Sequence, residues 1–481
     1  MVFSSLTFLW IFLPLVLAVN YLFSFIKKEN VKFLCKNINL LVASLVFYAW
    51  GGLTYLLVML ASIIGNYLFA LWIDGARNKA TPSAKSAKCG FVFAIIFNLG
   101  LLFYFKYTNF LVGVIESIAH GNFGLKEVVL PIGISFFTFQ AMSYVIDVYL
   151  GKVACQKNFL LLALYVSLFP QLIAGPIVKY KEIEHQLENR QEKLDNFVVG
   201  IKRFTYGLAK KVVVANTCGK VAAAVFGAEI TSLGTGVAWL GLLCYTVQIY
   251  FDFSGYSDMA IGLGRMFGFS FNENFNFPYT SLSITEFWRR WHISLSSWFK
   301  EYVYIPLGGN RKGKARTLLN LFIVFLLTGI WHGANYTFIL WGVFYGVIIV
   351  LERLFFKNLL DKNKFKPLNW LYTMFLVMLL WVFFRADSVG YAFAYIGKLF
   401  DFSHGAELII HDMIDLWGWT VLTFGIVFSG FIQRATEKKF AGIKAQEWVF
   451  WADFALQIAL LVLCVVLLTN DSFNPFIYFQ F

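Results

Sequence analysis

Polar side chains able to do chemistry interrupt apolar runs at three places in this chain, and a fourth group sits in its last residues. The first is the apolar helix at 318–335, which carries Thr328-Gly329-Ile330-Trp331-His332-Gly333-Ala334-Asn335. At helical spacing Thr328 lies four residues before His332 and Asn335 three after it, which predicts one polar face. Gly329 and Gly333 leave room for another element to approach closely. A neutral imidazole, with a pKa of ~6.5, suits a base that takes the proton of a hydroxyl attacking a thioester. The alternative is a structural histidine, hydrogen-bonded between helices or ligating haem. The second place is 284–301, with Glu286-Phe287-Trp288-Arg289-Arg290-Trp291-His292. On a helical wheel Arg289, His292 and Ser296 share a narrow arc, while Trp288, Trp291, Leu295, Trp298 and Phe299 cover another. The polar arc suits an aqueous passage in which Arg289 or Arg290 meets an anionic or carbonyl group. An interfacial amphipathic helix with its arginines on lipid phosphates is the alternative.

The third place is Tyr250-Phe251-Asp252-Phe253-Ser254-Gly255-Tyr256-Ser257-Asp258. Asp252, Asp258 and the glycine break an apolar stretch, as in a re-entrant loop lining a cavity. Paired acids suggest glycoside chemistry, but with no further catalytic context, capping and backbone support fit them better. The fourth is the aromatic tail, 472–481, where Asn474-Pro475 precedes Phe476-Ile477-Tyr478-Phe479-Gln480-Phe481. It alternates and favours a strand. Either it anchors the terminus, or it enters a cavity as a short extended peptide and offers the Tyr478 hydroxyl as an acyl acceptor.

These groups must be positioned by membrane helices. Of the 481 residues, 59% are hydrophobic and 14% charged, against about a quarter charged in soluble domains. Lipid must do the solvating, and a charge at membrane depth costs several kcal/mol unless it faces a bundle interior. Roughly ten to thirteen stretches approach the ~20 apolar residues of a span. The first, at 3–25, lacks a basic n-region and an A-x-A-like exit, so it is expected to be retained. Loops are short, so a single membrane-embedded domain, 1–481, is expected to hold the chemistry. The net charge of +13 fits a positive-inside bias better than nucleic-acid binding, with some cations left for an anion such as a coenzyme A phosphate. The six cysteines show no CxxC spacing and read as small hydrophobes, with no disulfide or metal framework.

Lys27, Lys28, Lys32 and Lys36, and then Arg77, Lys79, Lys85 and Lys88, mark two cytoplasmic loops and put the N-terminus outside. The later basic region with Lys179, Lys181, Lys202, Arg203, Lys210 and Lys211 falls on the wrong side if every earlier stretch crosses once. One or more stretches must then be re-entrant or interfacial. Residues 173–178, with Gly175-Pro176 in an apolar run, are the expected break.

Leu130-Pro131-Ile132-Gly133-Ile134-Ser135-Phe136, Ala174-Gly175-Pro176, the runs 250–262 and 283–296, and Trp331-His332-Gly333 together resemble the membrane-bound O-acyltransferase family. The likeness is to its bacterial alginate and peptidoglycan O-acetylation branch and spans nearly the whole chain. It implies an all-α polytopic membrane protein whose transmembrane and re-entrant helices ring a central tunnel. His332 is then the tunnel histidine and His292 the second family histidine, both catalytic. Arg289, Arg290, Asp252, Asp258, Ser296, Thr328 and Asn335 are the candidate substrate or tunnel residues beside them.

The resemblance further implies acetyl-CoA as a cytoplasmic acetyl donor, with no permanently bound cofactor. The setting would be the bacterial cytoplasmic (inner) membrane, N-terminus periplasmic. A periplasmic membrane-tethered transferase of the Ser-His-Asp kind would complete delivery to alginate or peptidoglycan. The tail resembles the aromatic C-terminus of the small partner in teichoic-acid D-alanylation, where a tyrosine receives the acyl group, which makes Tyr478 a candidate relay. The rival readings are a transporter or channel without bond chemistry, and acyl transfer to a lipid or protein acceptor.

Overall fold

A computed structural model describes residues 1–78, 81–403, 408–434, 447–470 and 473–477, which are helical with no strand among the described residues. In chain order the main helices start with Phe8–Phe25 (α1), Glu29–Ala49 (α2), Leu53–Arg77 (α3) and Ala84–Ala119 (α4). Ile134–Leu150 (α5), Phe159–Ser167 (α6), Tyr180–Asn189 (α7), Leu194–Ala209 (α8) and Asn216–Phe226 (α9) follow. Next come Thr235–Met266 (α10), and the short pair Ile284–Arg290 (α11) and Ile293–Phe299 (α12). Gly313–His332 (α13), Tyr336–Lys362 (α14) and Lys366–Arg385 (α15) are three successive long helices. Val389–Lys398 (α16), Leu416–Arg434 (α17) and Glu447–Asn470 (α18) complete the set. Among the described residues ten of these, α1–α4, α10, α13–α15, α17 and α18, are long and apolar enough to cross a membrane. The chain is an all-α, multi-pass membrane protein.

The chain divides into two compact units, Met1–Phe204 with Met259–Asn272, and Thr205–Asp258 with Glu273–Phe481. In the first, Phe8, Phe12, Phe47 and Phe169 pack edge to face and tilted, with Phe12 and Phe169 centroids 5.4 Å apart. Asn66 and Asn98 exchange amide hydrogen bonds of 3.0 and 2.7 Å between α3 and α4. Such a pair lets two apolar helices bury polar groups without leaving either unsatisfied. Helix α5 is bounded by Gly133 and Gly151, both at positive φ. A Cβ on Gly133 would also meet the Leu172 carbonyl oxygen at 2.9 Å.

The break expected at 173–178 is present. Helix α6 stops at Ser167, a single turn Phe169–Leu172 follows, and 173–179 is non-helical yet buried. Side chains satisfy the freed backbone: Ser44 Oγ accepts from Phe169 N–H at 3.0 Å, and Tyr165 Oη donates to the Val178 carbonyl at 3.0 Å. Irregular backbone in an apolar setting persists only with such partners.

In the second unit α10 departs from expectation. Gly255 does not open a loop; Asp252, Gly255 and Asp258 all lie within the continuous helix Thr235–Met266. The glycine answers a close approach instead, since a Cβ there would stand 2.7 Å from the Gly207 carbonyl oxygen. Helices α13 and α14 pack through Gly329 and Gly342, where a Cβ on either would lie 2.9 Å from the other's Cα. Small residues at such crossings bring helix axes close and gain dispersion contacts along both.

Candidate active site

His332 is the last residue of α13 and 4% exposed. Three aromatic rings enclose it: Trp331 at 5.0 Å, and Trp341 from α14 and Phe384 from α15 each at 5.1 Å and steeply inclined. The chain leaves the helix at Gly333, which is extended (φ −168°, ψ 155°). The helical face predicted for Thr328, His332 and Asn335 therefore holds only to His332. Asn335 is instead the N-cap of α14, accepting from Thr337 N–H at 3.1 Å and donating to the Asp387 carbonyl at 3.0 Å. Thr328 stays on the predicted face, buried, one turn before the histidine.

Along that face Leu321, Val324, Phe325 and Thr328 line a cavity of about 600 Å³. Its other walls include Trp288, Arg289 and Ser296 from α11 and α12, and Glu352 and Arg353 from α14. Lys300, Asn310 and Lys357 line it as well. His332 is not on the cavity wall. Trp341 bridges the two, its ring 5.6 Å from Trp288 and 5.1 Å from His332. Arg290 is also off the wall, paired with Glu286 at 2.8 Å and bonded to the Asn276 carbonyl at 3.1 Å. Glu352, 3% exposed, accepts from the backbone N–H groups of Ile284 and Thr285 at 2.8 and 2.9 Å and so holds the start of α11.

The helix expected across 284–301 is broken at the second histidine. Trp291 is extended and His292 left-handed (φ 44°, ψ 55°), so Arg289, His292 and Ser296 do not form one arc. His292 is fully buried and turned onto Asn274, whose Oδ1 lies 3.2 Å from Nδ1. The same Oδ1 accepts from the Ser294 N–H at 3.1 Å and hydroxyl at 2.9 Å, and Asn274 Nδ2 donates to Ser257 Oγ at 3.1 Å. Burial pushes the imidazole down to about 3, keeping it neutral. The Trp331 ring is 6.2 Å from His292 and 5.0 Å from His332, so one indole touches both histidines.

Asp252 and Asp258 are not on this cavity. Asp258 pairs with Lys210 at 2.6 Å and Asp252 with Lys211 at 2.7 Å, the second pair almost fully buried. The Asp252 Oδ2 also accepts the Ile477 N–H at 2.9 Å. Tyr478 lies outside the described residues. Of the tail, 473–477 is described and holds no strand, with Phe476 and Ile477 buried, while 478–481, the rest of the alternating run, lies outside the described residues. Among the described residues no group of three or more His, Cys, Asp or Glu is placed to hold a metal ion.

Three residues were not read as site residues from the sequence, Lys211 having been counted only with the basic loop charges. Asn274 sits in the polar stretch after α10, Lys211 among valines, and Glu352 at the end of an apolar helix. Lys211 and Glu352 carried the same signal as His332, a charge in an apolar run. Asn274 carried none.

The membrane-bound O-acyltransferase family matches residues 156–392. The probable alginate O-acetylase of Pseudomonas putida is 41% identical over the full length of both chains. That of Pseudomonas aeruginosa is 44% identical over 84% of this chain and 75% of its own. The peptidoglycan O-acetyltransferase of Helicobacter pylori is 39% identical over 81% of this chain and 78% of its own. With likeness of this extent, the chain belongs to the membrane-bound O-acyltransferase family and is an acyltransferase.

Proposed function

We propose that this protein is an O-acetyltransferase of the cytoplasmic membrane that draws acetyl groups from acetyl-CoA and passes them outward for acetylation of alginate or peptidoglycan. One observation carries this reading: a cavity walled by Arg289, Ser296 and Thr328 follows a single face of α13 whose next turn is His332. Lys300, Arg353 and Lys357 along it suit the phosphates of a coenzyme A thioester, and the basic ends of α13 and α14 suit a cytoplasmic mouth. The named substrates of the three relatives favour acetyl and an envelope polysaccharide.

In the reaction His332 takes the proton of an acceptor hydroxyl arriving from the opposite side. The oxygen forms its bond to the thioester carbonyl, the carbon–sulfur bond breaks, and the proton goes to the departing thiolate. His292 acts as a positioning residue through Trp331. The acceptor is either the Tyr478 hydroxyl, which then relays the acetyl group, or a hydroxyl brought by a periplasmic membrane-tethered transferase.

Replacing His332 by Ala should cut polymer acetylation by at least the 10²–10⁴-fold that a general base contributes. Mass spectrometry of the envelope polysaccharide would read this in cells whose only copy is the variant, with membrane levels checked in parallel. Undiminished acetylation refutes the assignment. Tyr478→Phe separates the acceptors: full activity there removes the relay and leaves His332 in place.

A further inference from the structure

The Lys211–Asp252 pair has no place in the mechanism above, yet it is among the most buried ion pairs of the second unit, with side chains 3% and 1% exposed. Such a pair is stable only when its remaining hydrogen-bonding capacity is met. An ammonium has three donors. Lys211 gives one to Asn216 Oδ1 at 2.9 Å and one to the Pro475 carbonyl oxygen, and its charge lies 2.7 Å from Asp252 Oδ1. The second Asp252 oxygen receives the Ile477 N–H. The tail thus supplies two of the partners that complete the pair.

We infer that Lys211 and Asp252 form a peptide seat that reads the main chain of the tail, a carbonyl at 475 and an N–H two residues on. The seat has side walls. Phe476, between the two contacts, lays its ring 4.6 Å from Tyr256. Asn216 Nδ2 donates to Asn474 Oδ1 at 3.3 Å. Phe473 lies over Gly219, its ring 3.4 Å from where a Cβ there would stand. Lys211 lies on the π-helical stretch Lys210–Ala215 that runs from α8 into α9 and Asp252 on α10, so one peptide segment joins two parts of the unit. Lys211 and Asp252 are positioning residues. They hold the segment that leads directly into Tyr478, and only the activity consequence rests on the reading above.

The test uses the full chain and alters only the tail. Ile477→Pro removes the N–H that Asp252 accepts and leaves the Lys211–Asp252 pair in place, while Ile477→Val keeps it. Chymotrypsin cleavage after Phe473, read as intact mass on the detergent-purified protein, should run at least tenfold faster in Ile477→Pro than in wild type or Ile477→Val. Asp252→Asn should release the tail likewise. Polymer acetylation should fall severalfold in Ile477→Pro and hold in Ile477→Val. A tail as protected in Ile477→Pro and Asp252→Asn as in wild type overturns the seat. A released tail with full acetylation overturns its positioning role. Cleavage is read without activity, so neither result depends on the outcome for His332→Ala.

Discussion

At the scale of single residues, His332 shows how far composition and periodicity reach. A histidine in an apolar helix is costly, and this helix places it one turn beyond a cavity-facing stripe that ends at Thr328, as its spacing predicts. The prediction fails one residue later, because Gly333 turns extended and converts Asn335 from a neighbour into a cap. The left-handed backbone of His292 breaks its wheel for the same reason. Asn274 organises that break with one carbonyl oxygen serving three groups around His292 and Ser294. Asn274→Ala should therefore lower stability by about 1–3 kcal/mol, seen as a reduced thermal midpoint in detergent. An unchanged midpoint would show that the network is dispensable. His292 also sets a pH dependence. Its folded value of about 3 lies below the ~6.5 of an unfolded histidine, so between them the unfolded chain binds the extra proton. Stability should be full above pH ~6.5 and decline as pH falls toward 3. Unfolding followed across that range in His292→Gln should show a shallower decline; an identical profile would assign it to other groups.

At the scale of elements, most spans were legible as apolar runs, and the break at 173–178 was legible from Gly175-Pro176 in one of them. Gly255 was not, because a glycine read from sequence marks a bend or a close approach equally well. Here it is the second, as in the α13–α14 crossing at Gly329 and Gly342. Gly329→Ala should push that hairpin apart, costing about 1–3 kcal/mol and most of the activity, since His332 lies three residues on. Gly100→Ala on α4, where a Cβ meets nothing within 4 Å, should be neutral or stabilising by up to ~1 kcal/mol. Thermal stability of the two variants side by side decides it; equal losses would mean that close approach is not what Gly329 provides.

For the whole molecule, the charges at helix ends give an orientation. Lys312, Lys314 and Arg316 open α13, Lys357 and Lys362 close α14, and Lys366 opens α15, whereas at the other end Arg385 is offset by Asp387, 3.9 Å away. With the positive-inside bias, an impermeant maleimide should label Asp387→Cys in intact cells, and Lys314→Cys only after permeabilisation, in a background lacking the six native cysteines. The reverse pattern would invert the proposed direction of transfer.

The stripe on α13 also acts as a gauge. From Leu321 to Thr328 the helix rises about 10 Å at 1.5 Å per residue, facing walls that include Trp288 and Arg289. Anything delivering an acyl group from the basic end must be slender over that length and carry its bulk behind it. A thioester on a long flexible arm, the donor proposed above, meets that description, and a compact donor such as an acyl phosphate does not.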